Sequence, residues 1–129
     1  MSTASGAKVP VLVADDHPLF RAALVSFLKE RQDIEVIGEA QNGEEAVQMA
    51  HEHHPRVVIM DVQMPGMDGV EATRRILHEA PATRIVILTA GTEEEAAELA
   101  VYAGAVAYVL KGREPDEIFD AILNATATW

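Results

Sequence analysis

Four short apolar runs set the tightest limit on what this chain can fold into. They are Val11-Leu12-Val13-Ala14, Val57-Val58-Ile59-Met60, Ile85-Val86-Ile87-Leu88 and residues 106–110. Continuous aliphatic runs of this length suit strands covered on both faces, as in a parallel sheet. A fifth segment, residues 34–40, sets Ile34, Val36 and Ala40 against Glu35 and Glu39. That alternation fits an edge strand with one wetter side.

Helix-period segments separate the runs. Residues 18–31 place Leu19, Ala23, Leu24, Phe27 and Leu28 on one face. Pro18 falls in the first turn, where its missing N–H costs little, with Asp16 as the expected N-cap. Residues 44–53 follow Asn42-Gly43, and residues 70–80 follow Asp68-Gly69 and stop before Pro81. Residues 93–103 open on three glutamates, which the helix dipole favours, and stop at Gly104. Residues 115 to about 125 close the pattern, with Ile118, Phe119 and Ile122 as the apolar stripe.

Strict alternation of five strands and five helices predicts right-handed βαβ units, an α/β fold with helices on both faces of a parallel sheet. Pro10 is tolerable only as the first residue of its strand or just before it. The 129 residues suit one domain over 9–125, with a short lead at 1–8 and a tail or linker start at 126–129.

Charge and composition narrow the function. A net charge of -11 argues against nucleic-acid binding by this chain itself and against anionic membrane surfaces. The absence of Cys excludes disulfides, thiolate zinc sites and Cys nucleophiles. No apolar run approaches about 20 residues, so no membrane helix is expected. Residues 1–6 carry no leader pattern, and a soluble, cytoplasmic protein is expected.

In a parallel sheet all strand carboxyl ends share one edge, and ligands bind there. Asp15 and Asp16 close the first strand, Asp61 the third, Thr89 the fourth and Lys111 the fifth. Clustered carboxylates repel unless a cation or proton stands between them. Oxygen donors of this kind suit Mg²⁺. A carboxylate beside such an ion can also attack phosphorus and form an aspartyl phosphate. Thr89 and Lys111 would then donate to the phosphoryl oxygens.

These residues resemble a known family. Val11-Leu12-Val13-Ala14-Asp15-Asp16-His17-Pro18-Leu19-Phe20-Arg21 resembles the start of receiver domains of two-component response regulators. The nearest likeness is the nitrate-response and nodulation subfamily, whose full-length members carry a C-terminal helix-turn-helix. Asp61 with Met64-Pro65-Gly66-Met67-Asp68-Gly69, then Thr89-Ala90, then Tyr108-Val109-Leu110-Lys111 complete the set, so the likeness runs from about Val9 to Ala125. It implies a flavodoxin-like, doubly wound sheet of strand order 2-1-3-4-5. It implies Asp61 as phosphoacceptor, with Asp16, Asp61 and the Gln63 main-chain carbonyl as Mg²⁺ ligands and Asp15 acting through a metal-bound water. Mn²⁺ is the alternative ion. Thr89 and Lys111 become the phosphoryl partners, and Tyr108 the aromatic that follows Thr89. Gln63 and Gly91 occupy positions that tune phosphoryl lifetime, and the small Gly91 predicts a shorter one. Gly112 stands where many receivers have a cis-proline, and none is expected here.

Each residue also has a plainer use. Asp15-Asp16 could be a cap and a turn. The 64–69 segment could be an ordinary loop. Thr89 could cap a helix, and Lys111 could snorkel. Jointly these demand five coincidences on one sheet edge. Tyr108 could be half-buried packing with a wet hydroxyl. His51, His53 and His54 read as a solvated helix end rather than a metal cluster, and Glu93-Glu94-Glu95 as a solvated first turn. His17 either tunes the cation site or points to solvent.

The expected function is a phosphorylation switch served by a sensor histidine kinase, with homodimerisation as its output. It is not an enzyme beyond its own phosphorylation and dephosphorylation. DNA binding would belong to a longer parent. The alternatives are a stand-alone receiver, a constitutive interaction module, and a Mg²⁺-dependent phosphohydrolase. The hydrolase is disfavoured because Gln63 stands where such enzymes place a second Asp.

Overall fold

A computed structural model describes residues 8–127. The elements are β1 (Val9–Ala14), α1 (Pro18–Lys29), β2 (Ile34–Ala40), α2 (Gly43–His53) and β3 (Val57–Asp61). They continue with α3 (Gly69–Glu79), β4 (Arg84–Thr89), α4 (Glu93–Ala103), β5 (Ala107–Leu110) and α5 (Pro115–Ala127). Most of the expected lead and half of the expected tail lie outside the described residues. None of the described helices is long and apolar enough to cross a membrane.

All strand pairs are parallel, in the order β2-β1-β3-β4-β5. The chain steps from β1 outward to β2, then returns across β1 to β3. The direction of winding therefore reverses between β1 and β3, and a crevice opens beyond their carboxyl ends.

The apolar runs lack polar breaks because both sheet faces are covered. Val11, Val13, Val57, Ile59, Val86, Leu88 and Val109 pack with Leu24, Val25 and Leu28 of α1 and Ile118 and Ile122 of α5. Leu12, Ala14, Val58, Met60, Ile85 and Ile87 pack on the other face, against Ala46 and Ala50 of α2, Ala72 and Ile76 of α3, and Ala100 of α4. Ile59 is wholly buried at the sheet centre, so its truncation to Ala would cost about 2–5 kcal/mol.

Several sequence expectations shift. Pro10 is the second residue of β1, not the first or a preceding one. Its carbonyl accepts from Arg56 N, before β3 begins, and pairing with β3 starts only at Val11. A strand residue's N–H and C=O point to the same side, so the N–H that proline lacks faces a place with no ladder to complete. Asp16 does not cap α1: the N-cap is His17, with no side-chain cap bond. Asp16 instead joins the acidic rim described below. Helix α1 stops at Lys29, β5 begins at Ala107 rather than 106, and α5 runs on to Ala127. The edge strand β2 carries a bulge: Val11 pairs with Val36 and Leu12 with Gly38, so Ile37 has no partner.

The polar residues just before three of the helices are caps. Asn42 Oδ1 accepts from Glu45 N at 2.8 Å, and Asp68 Oδ1 from Glu71 N at 2.9 Å. Thr92 and Glu95 form a reciprocal capping box on α4. Glu93, Glu94 and Glu95 are all exposed, as expected of a solvated first turn, and Glu95 is in addition tied to the backbone.

Candidate functional site: an acidic rim at the strand ends

Backbone ladders fix each polar residue of the rim. Asp15 N donates to Ala40 O at 3.0 Å, carrying the β1–β2 pairing one residue past β1. Val62 N donates to Leu88 O at 3.1 Å, which holds the chain just after Asp61. Lys111 N donates to Thr89 O at 2.8 Å. Three carboxylates, a hydroxyl and an ammonium are therefore held at one end of the sheet.

The side chains converge further. Asp15, Asp61 and Thr89 are buried. Lys111 Nζ lies 2.8 Å from Asp15 Oδ2 and 3.3 Å from Asp61 Oδ2. It also sits 4.8 Å from the centroid of the Phe20 ring, a cation–π contact. One ammonium cannot balance three carboxylates. The shortfall shows in the bonding: Asp15 Oδ2 and Asp16 Oδ1 are buried without an aligned hydrogen bond, although the first is in ionic contact with Lys111. Burial holds the Asp61 carboxyl well above its usual range, at about 6. Asp15 adds to the rise, and Lys111 and the Gln63 N–H offset part of it.

Asp15, Asp16, His17 and Asp61 bring ligand atoms within 4.8 Å of one another. A buried carboxylate oxygen without a hydrogen bond, Asp16 Oδ1, on such a cluster fits a hard divalent cation, which takes oxygen donors. Gln63 contributes main chain to the rim: its N–H donates to Asp61 Oδ1 at 3.4 Å, while its side chain is exposed. A cleft of about 380 Å³ opens over Asp61, lined by His17, Phe20, Gln63, Ala90 and Lys111.

Thr89 does not cap a helix. Its Oγ1 accepts from Gly91 N at 3.3 Å. Tyr108 is half-buried and pairs with Ile87 across the ladder. Strand alternation puts residue 89 on the same sheet face as residue 87, so Thr89 and Tyr108 share the side covered by α4. Gly91 lies beside Glu95: a Cβ there would meet Glu95 Oε1 at 2.7 Å. Gly112 has φ +90°, a left-handed conformation that suits glycine after Lys111. His51, His53 and His54 stay exposed, and His51 Nδ1 pairs with Glu79 Oε1 at 3.2 Å.

Arg21 is a rim residue that sequence reasoning quoted without a role. Its Nη1 donates to Asp15 O at 2.6 Å and its Nε to Glu39 Oε1 at 3.2 Å. The signal was present: a cation in the first turns of a helix opposes the dipole and needs partners.

The pattern of the response regulator receiver domain matches residues 11–123. The chain belongs to the response regulator receiver-domain family. This receiver is 43% identical over 118 residues to the transcriptional regulatory protein LiaR of Bacillus subtilis, covering 92% of this chain and 56% of LiaR. It is 40% identical over 114 residues to the response regulator VraR of Staphylococcus aureus, covering 88% of this chain and 54% of VraR. It superimposes on the receiver domain of the response regulator NarL from Mycobacterium tuberculosis with TM-score 0.86 and 36% identity, covering 93% of this chain and 98% of that one. A LuxR-family response regulator from Aurantimonas gives TM-score 0.89 at 34% identity, covering 95% and 87%. The receiver spans about half the length of the curated relatives it matches. Receiver domains are signalling modules rather than conventional enzymes, and this strand order and helix arrangement are those of the family.

Proposed function

We propose that Asp61 accepts a phosphoryl group from a phosphohistidine of a sensor histidine kinase, and that the resulting aspartyl phosphate switches a surface of this receiver. The observation that carries the reading is a buried Asp61 beside Lys111, with Asp16 Oδ1 buried without a hydrogen bond on the same rim. Asp16, Asp61 and the Gln63 main-chain carbonyl would hold Mg²⁺ or Mn²⁺, with Asp15 acting through a metal-bound water. The ion supplies positive charge that screens the rim and the entering phosphoryl oxygens.

A carboxylate oxygen of Asp61 attacks phosphorus. The P–N bond breaks, its electron pair returns to the imidazole nitrogen, and an O–P bond to Asp61 forms. Lys111 offsets charge on the acceptor and then on the phosphoryl group. Thr89 turns its hydroxyl to donate to a phosphoryl oxygen, and Tyr108 follows on the shared sheet face. The surface built by α4, β5 and α5 changes with them. Gln63 and Gly91 flank the reacting group and set its exposure to water, and so its lifetime. Water attack on phosphorus returns free Asp61 and inorganic phosphate.

The half-length match to LiaR and VraR supports a longer, cytoplasmic transcription-regulator parent, whose further domain would bind DNA after phosphorylation-driven homodimerisation. Acetyl phosphate with Mg²⁺ tests the switch. Intact mass should show one phosphoryl group gained by wild type and none by Asp61→Ala. An equal gain in both, or no gain from any donor, contradicts the reading.

A further inference from the structure

His17 is the rim residue that the phosphoryl-transfer reading leaves without a task. It stands immediately outside the two consecutive aspartates, as the N-cap of α1. Asp15 Oδ1 accepts the His17 backbone N–H at 2.8 Å, which pins the residue beside the cluster. Its ring nitrogen Nδ1 then lies 3.1 Å from Asp15 Oδ1 and 3.3 Å from Asp16 Oδ1. Asp61 Oδ2 is 3.9 Å away. Adjacent ligands on an ion with bonds of about 2.0–2.1 Å stand about 3.0–3.3 Å apart. The imidazole is thus spaced from Asp16, itself a proposed ligand, as one ligand is from the next.

Two further observations point to a cation at this position. Asp16 Oδ1, 3.3 Å from the ring nitrogen, is buried without a hydrogen-bond partner. Lys111 Nζ approaches His17 Nδ1 to 3.1 Å. An ammonium has donors and no acceptor, so this contact is a hydrogen bond in the tautomer whose Nδ1 carries a lone pair, the form a metal would take. A positive charge already rests against that nitrogen.

We propose that His17 Nδ1 is a ligand of the rim's cation site, giving it a preference for nitrogen-seeking divalent cations of the cobalt and zinc class over Mg²⁺. The inference rests on the rim being a cation site, as read above. Imidazole adds little for Mg²⁺, which keeps oxygen ligands and water. It adds strongly for later first-row metals, whose affinities rise across the series at mixed nitrogen and oxygen sites. His17 is 63% exposed, so an ion reaches it without local opening.

A rival account makes His17 only a cationic partner for the carboxylates. The two accounts predict opposite results. If His17 is a ligand, His17→Ala weakens Co²⁺ and Zn²⁺ binding about tenfold or more while leaving Mg²⁺ binding equal or tighter. If it is a mere partner, its removal strengthens all three ions alike. The cap contributes no side-chain bond, so the variant keeps its fold, and His17→Gln provides a polar control without an imidazole.

The experiment is calorimetric titration of the unphosphorylated protein with Mg²⁺, Co²⁺ and Zn²⁺, joined to the visible absorption of the Co²⁺ form. The expected result is a selective loss of Co²⁺ and Zn²⁺ affinity in both variants, with a change in the Co²⁺ spectrum. Unchanged Co²⁺ affinity and spectrum, or a parallel gain for every ion, overturns the proposal while Asp16-dependent Mg²⁺ binding stands. Loss of Mg²⁺ binding as well, with no difference between wild type and Asp16→Ala, overturns both this proposal and the cation-site reading.

Discussion

Lys111 Nζ lies nearer to Asp15 Oδ2, at 2.8 Å, than to the acceptor Asp61, at 3.3 Å. One ammonium thus serves two buried carboxylates: its closest contact is with Asp15, and its aligned hydrogen bond goes to Asp61. Lys111→Met removes it and leaves both carboxylates facing each other. Breaking a buried pair from one side should cost about 3 kcal/mol without divalent cation. Saturating Mg²⁺ should restore more stability to the variant than to wild type. Urea unfolding with and without Mg²⁺ reads both effects, and an equal Mg²⁺ response in the two proteins would count against the shared-cation arrangement.

Asp61 makes the cation-free fold sensitive to pH. Its folded value of about 6 lies above the ordinary 3.8, so the native state holds this proton more tightly than the unfolded chain does. The resulting contribution to stability is fully present below 3.8 and lost as pH rises through about 6. Its size is of order 1–3 kcal/mol. The advantage of Asp61→Asn over wild type should therefore grow between pH 4 and pH 7 (about the span of the two values) in chelator, as followed by thermal melts. A difference that stays flat across that range contradicts the burial of a charged Asp61.

Gly69 is where α3 meets the acceptor strand. A Cβ at that position would run into the main-chain carbonyl of Asp61, and Gly69 N already donates to Val62 O at 2.8 Å. Backbone cannot yield as a flexible side-chain tip can. Gly69→Ala should cost about 3 kcal/mol and shift the Asp61 loop. Chemical denaturation gives the cost. A near-neutral substitution would mean that this approach is looser than the structure shows.

The α4 capping box separates stability from the site. Thr92→Ala removes the bond from Glu95 N to Thr92 Oγ1, measured at 3.2 Å, and should cost about 1 kcal/mol. Thr92 does not line the cleft over Asp61, so Mg²⁺ affinity should not move. A drop in Mg²⁺ affinity would show that the start of α4 is coupled to the rim in the resting state.

The fold was legible because two-sided burial leaves a plain mark. Val57, Val58, Ile59 and Met60 are all wholly buried, and a run this short between turn residues fits a doubly covered strand. The rim was legible through topology, since parallel strands must deliver Asp15, Asp61, Thr89 and Lys111 to one edge. What escaped the sequence depends on side-chain direction. Asp16 read both as a rim carboxylate and as a helix cap; the first holds, but His17 takes the cap. Pro10 read as a strand start because the side of the strand that lacks an N–H cannot be known before the neighbouring strands are placed. Thr92 and Glu95 carried a capping-box spacing that three adjacent glutamates obscured.

The most direct test of the central claim locates the phosphoryl group. Protein treated with acetyl phosphate and Mg²⁺ is reduced with borohydride, which converts an aspartyl phosphate to homoserine, and the modified position is read by peptide mass spectrometry. The account predicts homoserine at position 61 alone, absent when the cation is chelated and absent in Asp61→Asn. Modification at another residue, or at position 61 to the same extent without any divalent cation, would contradict it.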